Sequence, residues 1–342
     1  MPVSIVVGGQ FGSEGKGKVT HYLAQKMEAS YAVRCGGPNS GHTVIDPTGN
    51  ARIFQQLSTA AILPDVKLAI CAGSYIDLDI LLREIKETGV DQTRLVIDPD
   101  AVIITKEMKR WEVQSGIMQR IGSTGSGTGA AVKARLNREE KLLFARDIRA
   151  LSIFIQDVPK ILRDSLDRDE HVIIEGTQGF GLSPLHSRLY PFTTSRDTTA
   201  AAFLSEVGLS PFDVKDIILT IRAFPIRVSG NSGPLDKETS WKEISEKGMF
   251  SEVFEEITSV SKKTRRVAYF SSDIVMRAIC INRPTCVVLN HLDYFSAHHD
   301  EVYRKRITNF INEVEMSINQ KVNYIGVGPD SMLENSLTSF EK

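Results

Sequence analysis

The fold is decided by residues 4–18, which read SIVVGGQFGSEGKGK. The apolar start predicts a buried strand, and a glycine-rich turn with two lysines follows it directly. Glycines let backbone N–H groups approach an anion, and the helix predicted next offers its positive end at the same point. From Gly12 onward the spacing matches G-x-x-x-x-G-K, a P-loop, although Val19 stands where Ser or Thr should bind magnesium. The stretch therefore predicts phosphate chemistry in a variant loop that differs from a standard ATPase loop.

Strands and helices are predicted to alternate along the rest of the chain. Apolar runs predict strands at residues 4–7, 68–71, 95–97, 172–174, 217–221 and 286–289. Apolar residues three and four apart predict helices at residues 79–87, 146–164 and 272–280. This order predicts an α/β fold with a P-loop-like, doubly wound, mainly parallel central sheet, helices on both faces and elaborated active-site loops. We expect one domain over residues 1–342, with a mobile loop at residues 230–266.

Composition narrows the classes of function. The 342 residues include 41 Lys and Arg against 42 Asp and Glu, which leaves a net charge of −1. Proteins that bind nucleic acid or anionic membranes in general usually carry a basic excess, so neither partner is expected. No stretch nears the ~18 apolar residues of a membrane span, and the first residues lack the basic start of a signal peptide. The four cysteines show no C-x-x-C spacing, and we expect reduced thiols in a cytoplasmic protein.

Two glycine-rich segments contain further residues suited to phosphate. Residues 36–43 read GGPNSGHT, and a histidine there can donate to a developing oxyanion or a bridging phosphate oxygen. On its own, however, His42 is more often a local hydrogen-bonding residue. Residues 121–129 read IGSTGSGTG, in which N–H and O–H donors can form an anion cradle. We interpret this second segment as a second phosphate site rather than a flexible linker.

Two charged segments complete the motifs. Residues 261–266 read SKKTRR, a basic run that is usually a solvated face but that also suits carboxylate or phosphate capture. Residues 290–293 read NHLD after a predicted strand, which resembles the N-K-x-D element that reads guanine in GTPases. Histidine replaces the lysine of that element, and Asp293 could equally cap the segment that follows.

Taken jointly, the motifs resemble those of the adenylosuccinate synthetase family from end to end. The matching stretches are GQFGSEGKGK (9–18), GGPNSGHT (36–43), IGSTGSGTG (121–129), EGTQG (175–179), YPFTTSRDTTAA (190–201), TRRVAYF (264–270) and VGPD (327–330). The resemblance implies a C–N bond-forming ligase with two steps. A nucleoside triphosphate phosphorylates O6 of a purine monophosphate, and the amino group of L-aspartate then displaces that phosphate at C6. Such transfer needs fixed geometry, cations and Mg²⁺.

The same resemblance implies roles for individual residues. The implied catalytic residues are Ser13, Lys16, His42 and Gln178. The implied triphosphate-binding residues are Gly12, Glu14, Gly15, Lys16, Gly17, Lys18, Gly41, His42, Thr43, Asn290, Asp293, Gly326 and Gly328. The implied purine-monophosphate residues are Ser13, Asn39, Ser123, Thr124, Arg138, Gln178 and Thr194, with Arg138 reaching in from the second subunit of a homodimer. Aspartate is assigned to Ser261, Lys263 and Arg265, and Mg²⁺ to Ser13 and the Gly41 carbonyl.

One position departs from the family. The family loop reads G-D-E-G-K-G-K, in which the Asp is the base that removes the purine N1 proton, whereas this chain has Ser13 there. A hydroxyl has no base pKa near neutrality and is a poorer Mg²⁺ ligand than a carboxylate. Guanine carries a 2-amino group beside N1, and a small hydroxyl that donates and accepts would tolerate it. In this respect the chain resembles the phage-associated 2-aminoadenylosuccinate synthetases, which act on dGMP on the route to 2-aminoadenine DNA.

The predicted reaction is therefore the ligation of aspartate to dGMP, with ATP or dATP favoured as donor because the guanine-reading element lacks its lysine. If the chain is phage-encoded, this reaction would take place in the host cytoplasm. A first alternative is an ordinary adenylosuccinate synthetase that uses IMP and GTP. A second is an inactive nucleotide-binding or regulatory homologue, which the intact His42, Lys16, Thr124 and Gln178 disfavour. Val19 in the magnesium position disfavours a generic GTPase switch.

Overall fold

The computed structural model describes residues 2–258, 263–298 and 300–335. Its strands are β1 (Val3–Gly8), β2 (Tyr31–Arg34), β3 (His42–Ile45), β4 (Ala51–Phe54), β5 (Lys67–Ile70), β6 (Tyr75–Ile76), β7 (Leu95–Ile97), β8 (Val102–Ile103), β9 (Val172–Glu175), β10 (Val214–Arg222), β11 (Ile226–Val228), β12 (Glu238–Thr239), β13 (Arg265–Ala268), β14 (Cys286–Asn290), β15 (Tyr324–Gly326) and β16 (Met332–Glu334). Its α-helices are α1 (Lys16–Lys26), α2 (Leu78–Thr88), α3 (Lys106–Gln114), α4 (Ile117–Ile121), α5 (Thr128–Asn137), α6 (Val158–Asp167), α7 (Ala200–Val207), α8 (Trp241–Lys247), α9 (Ser272–Asn282) and α10 (Glu301–Ile318).

A central sheet organises the described residues. It contains nine strands in the order β16-β15-β14-β10-β1-β9-β2-β5-β7, all parallel to their neighbours except the antiparallel pair β15 and β16. Along β1 the side chains of Ile5 and Val7 enter one apolar core with Phe203 of α7, and Val6 enters a second core with Leu23 of α1. Both faces of the sheet are therefore covered by helices, and the predicted doubly wound α/β architecture is confirmed.

The sheet brings the functional loops to one edge. In parallel strands that point the same way, the carboxyl ends lie side by side and form the crevice in which ligands bind. Here β1 leads into the glycine-rich loop, and four neighbouring strands end in polar residues, namely Arg34, Glu175, Arg222 and Asn290. The glycine loop ends at Gly15, whose φ of +87° is left-handed, and α1 starts at the next residue. The predicted strand–loop–helix unit is present.

Several predicted elements need correction. The helix predicted at residues 146–164 is wrong, because residues 145–154 form two short 3-10 segments and α6 begins only at Val158. Asp157 caps that helix by accepting from the backbone N–H of Lys160 at 3.0 Å, and Pro159 suits its first turn. Residues 230–266 contain β12, α8 and the start of β13, so the described part of this segment holds regular structure rather than one loop.

All four cysteines are free thiols. Among the described residues, none of the helices combines the length and apolar character needed to cross a lipid bilayer.

Candidate active site

The carboxyl edge of the sheet opens into a cavity of about 710 Å³. Most residues that the sequence assigned to a site lie in its wall. They are Gly12, Ser13, Gly15, Lys16, Gly17, Lys18, Asn39, Gly41, His42, Thr43, Ser123, Thr124, Gln178, Thr194, Arg265, Asp293 and Gly328. The folded chain thus gathers segments from residues 12 to 328 around one space, as expected for a site that binds several substrates at once.

The glycine loop is held from beneath by a buried carboxylate. Glu14 accepts through Oε1 from the backbone N–H groups of Gln10 (3.1 Å) and Gly12 (2.8 Å), and through Oε2 from Lys16 Nζ (2.6 Å). Glu14 and Lys16 are both buried, so this ion pair is only weakly screened by solvent. Glu14 therefore shapes the loop and lies outside the cavity wall, whereas Lys16 reaches the wall.

The opposite side of the loop rests on the ends of β14 and β15. Asn290 is fully buried and donates from Nδ2 to the Glu14 carbonyl at 2.8 Å. A Cβ at Gly15 would lie 2.8 Å from Asn290 Nδ2, and one at Gly326 would overlap Asn290 Oδ1. Glycine is therefore required at both positions, and Asn290 supports the loop from behind instead of lining the cavity.

Lys18 closes the same end of the cavity. Its Nζ donates to the Gly328 carbonyl at 2.7 Å. Burial lowers the pKa of Lys18 to about 8, although the nearby charges of Asp293 and Asp330 act in the opposite direction. A bound phosphate would restore the ammonium form, because an adjacent anion favours the charged state.

His42 belongs to a buried triad of charged and polar side chains. Its Nδ1 contacts Glu175 Oε1, and Arg34 Nη1 lies beside both, 3.1 Å from Glu175 Oε1 and 3.4 Å from His42 Nε2. The second oxygen of Glu175 accepts from Ser58 Oγ at 2.5 Å and from the backbone N–H of Thr59 at 3.0 Å. Every oxygen of Glu175 is therefore satisfied, and His42 is fixed in orientation.

The triad sets the charge of each member. Burial and the Arg34 charge together lower the pKa of His42 to about 3, because they outweigh the raising effect of the Glu175 carboxylate. Burial alone would raise the pKa of Glu175, but Arg34 and the hydrogen bond from His42 outweigh it and hold the pKa at about 2. In the free protein His42 is consequently neutral and donates its Nδ1 proton to an ionised Glu175.

A second buried cluster positions Ser13. Arg222 donates from Nη1 to the Ser13 carbonyl at 3.0 Å, and its Nη2 contacts Glu256. Glu256 also accepts from Arg265 Nη1 at 2.5 Å and from the Tyr294 hydroxyl at 2.8 Å. Ser13 itself has a left-handed φ of 57°, and its hydroxyl makes no hydrogen bond within the described residues. Its main chain is thus fixed while its Oγ stays available at the cavity wall.

The glycine- and hydroxyl-rich segment at 121–129 leads into the N-terminus of α5. Glu112 is buried there and accepts from the backbone N–H groups of Gly127 (2.9 Å) and Ala130 (3.1 Å). This carboxylate already occupies two of the N–H groups at the start of α5, and the hydroxyls of Ser123 and Thr124 are further anion donors at this wall.

Some assigned residues are not at the cavity wall. Arg138 is exposed and caps the far end of α5. The other assigned residues outside the wall are Glu14, Lys263, Asn290 and Gly326. Ser261 lies outside the described residues. Sequence reasoning missed Arg34, Arg222 and Arg227, which the fold brings to the site. Arg34 and Arg222 end strands, and a charged residue directly after an apolar run was the signal available for them.

The comparisons with known proteins agree with this geometry. The sequence profile described as "Adenylosuccinate synthetase" matches residues 5–145 and 141–303. The chain is similar to the adenylosuccinate synthetase of Methanococcus aeolicus, with 35% identity over 341 residues that cover 96% of this chain and 98% of the relative. It is 36% identical to that of Methanocaldococcus jannaschii over 337 residues, covering 96% of this chain and 94% of the relative.

Two solved structures show the same architecture. The succinoaminodeoxyadenylate synthetase of cyanophage S-2L, bound to dGMP and to dATP as an energy donor, matches with a TM-score of 0.83 at 27% identity and covers 97% of this chain and 95% of that chain. The fully ligated adenylosuccinate synthetase of Plasmodium falciparum matches with a TM-score of 0.86 at 18% identity, covering 98% of this chain and 100% of that chain, which shows a shared fold. The chain belongs to the adenylosuccinate synthetase family and is an NTP-dependent, C–N bond-forming ligase.

Proposed function

We propose that this ligase joins L-aspartate to C6 of dGMP with ATP or dATP as phosphoryl donor, and so forms 2-amino-2'-deoxyadenylosuccinate for 2-aminoadenine DNA. The observation that supports this substrate is Ser13, which lies in the cavity wall at the position where the family loop has Asp. The likeness to a cyanophage enzyme bound to dGMP and dATP supports it independently.

The chemistry at Ser13 favours a 2-amino purine. A carboxylate fitted to purine N1 would crowd the 2-amino group of guanine, whereas a serine hydroxyl is smaller and both donates and accepts. The free Oγ of Ser13 on a main chain fixed by Arg222 matches this role, because it can turn toward either partner. Specificity of this kind arises when polar groups of the site are left paired by one substrate and unpaired by another.

His42 and Glu175 stabilise the phosphoryl transfer to O6. Glu175 occupies Nδ1, which leaves Nε2 of His42 for the cavity. The negative charge of a bound triphosphate raises the pKa of the imidazole, and the resulting imidazolium donates from Nε2 to the developing oxyanion. Glu175 stabilises that imidazolium through Nδ1, in the way a buried carboxylate orients a catalytic histidine.

Lysines and hydroxyls bind the charged groups of the substrates. Lys16, Lys18 and the N–H groups of the glycine loop hold the triphosphate at one end of the cavity. Asn39, Ser123, Thr124, Gln178 and Thr194 hold the purine monophosphate, completed by Arg138 from the partner in a homodimer. Arg265 and Lys263 take the aspartate carboxylates, and the proposed third member, Ser261, lies outside the described residues.

Magnesium fits this site in one particular way. Among the described residues no group of three His, Cys, Asp or Glu side chains could enclose a metal ion, and the loop carboxylate Glu14 is already occupied by Lys16. Mg²⁺ commonly keeps several waters and uses only one or two protein ligands together with substrate phosphates. The Gly41 carbonyl and Ser13 Oγ are suited to that role. Bound there, the ion would neutralise phosphate charge.

A substrate matrix tests the proposal. Purified protein is incubated with aspartate, Mg²⁺ and each pair of dGMP, GMP or IMP with ATP, dATP or GTP, while phosphate release and succinyl-nucleotide formation are followed. We expect product from dGMP with ATP or dATP. Product from IMP with GTP alone would overturn the dGMP assignment, and no product from any pair would favour the inactive nucleotide-binding homologue.

The second candidate is an ordinary adenylosuccinate synthetase that converts IMP with GTP. It is favoured by the 35% and 36% identity to archaeal adenylosuccinate synthetases over nearly the whole chain. Because the two candidates differ in one group on the purine and in the donor base, the same matrix separates them.

A further inference from the structure

Arg227 on β11 is a buried cation of the cavity wall, and part of its guanidinium is unpaired. The side chain is 3% exposed and lies in the cavity wall. Its Nη2 donates to the Phe192 carbonyl at 2.9 Å, and its guanidinium carbon is 4.7 Å from the centroid of the Phe11 ring. Nε and Nη1 have no hydrogen-bond partner among the described residues.

This arrangement differs from that of the other buried arginines of the site. Arg34 is paired with Glu175 and Arg222 with Glu256. Arg266, which is only half-buried and lies opposite Arg227 in the β11–β13 ladder, is paired with Glu238. In the described part of the chain no carboxylate forms an ion pair with Arg227. Burial and, to a smaller extent, the charge of Arg266 lower the pKa of Arg227 to about 10.

A buried, unpaired cation is costly, and the cost is recovered when an anion binds to it. Two unpaired nitrogens and a guanidinium held against Phe11 form a preorganised donor group, which matches a phosphate better than a point charge does. The cation–π contact restricts the guanidinium before the ligand arrives.

We propose that Arg227 binds the monoester phosphate of the purine monophosphate. The carbonyl that Arg227 contacts belongs to the turn that also contains Thr194. A Cβ at Gly122 would lie 3.2 Å from the Ser232 side chain and 3.4 Å from Val228, so the segment carrying Ser123 and Thr124 is packed against the same strand and loop. The inference rests on the proposed assignment of this end of the cavity to the monophosphate.

Within one subunit, Arg227 supplies a buried cation at this end, where Arg120 also lines the wall but is exposed. Arg138 lies outside the cavity wall, and the hydroxyls of Ser123, Thr124 and Thr194 carry no charge. At the opposite end Lys18 and Lys16 already serve the triphosphate. Arg265, which we assign to aspartate, has its charge balanced by Glu256, whereas no carboxylate of the described residues pairs with the buried guanidinium of Arg227.

The test compares a nucleotide with its own nucleoside. Calorimetry gives the Kd of dGMP and deoxyguanosine, and of IMP and inosine, for the wild type, Arg227→Met and Arg227→Lys. We expect Arg227→Met to reduce the preference for nucleotide over nucleoside by about 10- to 100-fold, the loss typical of one charge-assisted hydrogen-bonding group. Arg227→Lys should fall in between, and the KM values for triphosphate and aspartate should stay within about 3-fold.

The free protein supplies a second readout. If the charge of Arg227 serves ligand binding rather than folding, Arg227→Met should leave the thermal unfolding midpoint unchanged or raise it, because the substitution removes an unpaired buried charge. Arg266→Met, on the neighbouring strand, is the matched control and should keep the nucleotide preference.

Three results would overturn the assignment. The first is that Arg227→Met loses affinity for nucleotide and nucleoside equally, and the second is that it raises only the KM for aspartate. The third is that Arg227→Met is destabilised while Arg227→Lys binds nucleotide like the wild type. If IMP binds and dGMP does not, the dGMP proposal fails while the IMP and inosine pair still tests Arg227.

Discussion

His42 and Glu175 form a buried hydrogen-bonded pair that joins the start of β3 to the end of β9, and Arg34 contacts both partners. Burial and the Arg34 charge keep the imidazole neutral in the free protein, while Glu175 places a carboxylate where an imidazolium would need it. A histidine of this kind stays uncharged until an anionic substrate arrives, which links protonation of the site to substrate binding.

Glu175→Gln should reduce kcat by about 100-fold, in the range of a lost general acid–base contribution. The amide still accepts the Nδ1 proton, but it no longer stabilises an imidazolium. Steady-state kinetics on the active substrate pair measure the effect, with circular dichroism to verify folding. Ser58→Ala is the matched control, because it removes one hydrogen bond to Glu175 and keeps the charge. Equal losses in the two variants would argue against the charge of Glu175.

Acid should destabilise the free protein through His42. The unfolded histidine takes up a proton near pH 6.5, whereas folded His42 resists protonation down to about pH 3. Stability is therefore lost as the pH falls from 6.5 toward 3, and this group alone removes about 2 kcal/mol between pH 7.5 and 5. Urea unfolding of wild type and His42→Asn at both pH values measures it. Parallel losses in the two proteins would contradict the low pKa.

Triphosphate affinity should fall above pH 8 because Lys18 loses its charge there. Its pKa of about 8 in the free protein means that the neutral amine dominates at higher pH, and binding must then take up a proton. Kd values for the triphosphate between pH 7 and 9.5 test this prediction. Lys18→Arg should remove the dependence, because a guanidinium stays charged throughout. The same slope in both proteins would assign the titration to another group.

Ser13→Asp should lower dGMP turnover and raise the ratio of IMP to dGMP turnover. The carboxylate would crowd the 2-amino group and would supply a base at N1, which IMP also needs. Ser13→Asn is a control of equal size without the charge and should lower turnover of both substrates. Unchanged or improved turnover of dGMP by Ser13→Asp would remove the steric argument.

Glu256→Gln should reduce the free energy of unfolding by about 3–5 kcal/mol, because Arg222 would be left buried without its carboxylate. Replacing both partners, as Arg222→Met with Glu256→Leu, should recover much of that loss. Denaturant unfolding measures both variants. Asp164→Asn, which breaks the exposed pair with Lys160, should cost less than about 1 kcal/mol. A small effect of Glu256→Gln would mean that solvent reaches Arg222.

Sequence patterns predict the fold class and most of the cavity wall, for physical reasons that also explain the errors. Six apolar runs are long enough to be recognised, and all lie in the central sheet. β2 escapes the pattern because Tyr31–Arg34 contains one branched aliphatic residue and ends in a charge, and β15 escapes it because Ile325 is the one aliphatic side chain of Tyr324–Gly326. The apolar spacing after residue 145 predicts an α-helix, but the chain forms 3-10 segments there. The two kinds of helix have similar apolar periodicity, so the pattern alone does not distinguish them.

Isolated arginines escape sequence patterns for a different reason. Glycine-rich motifs are recognisable because backbone geometry demands particular residues in order. Arg34, Arg222 and Arg227 carry no such local requirement, and each acquires its role only from strands that the fold brings together from distant parts of the chain. A pattern search over neighbouring residues does not detect a contact of that kind.

The phosphate loop is supported by residues that are synthesised much later in the chain. Asn290 holds the Glu14 carbonyl, Gly326 leaves room for Asn290, and the Gly328 carbonyl accepts from Lys18. On the ribosome, the signature motif therefore emerges among the first residues and waits for β14 and β15 before its geometry is complete. A translation product truncated before those strands would carry the recognisable motif without a finished nucleotide pocket.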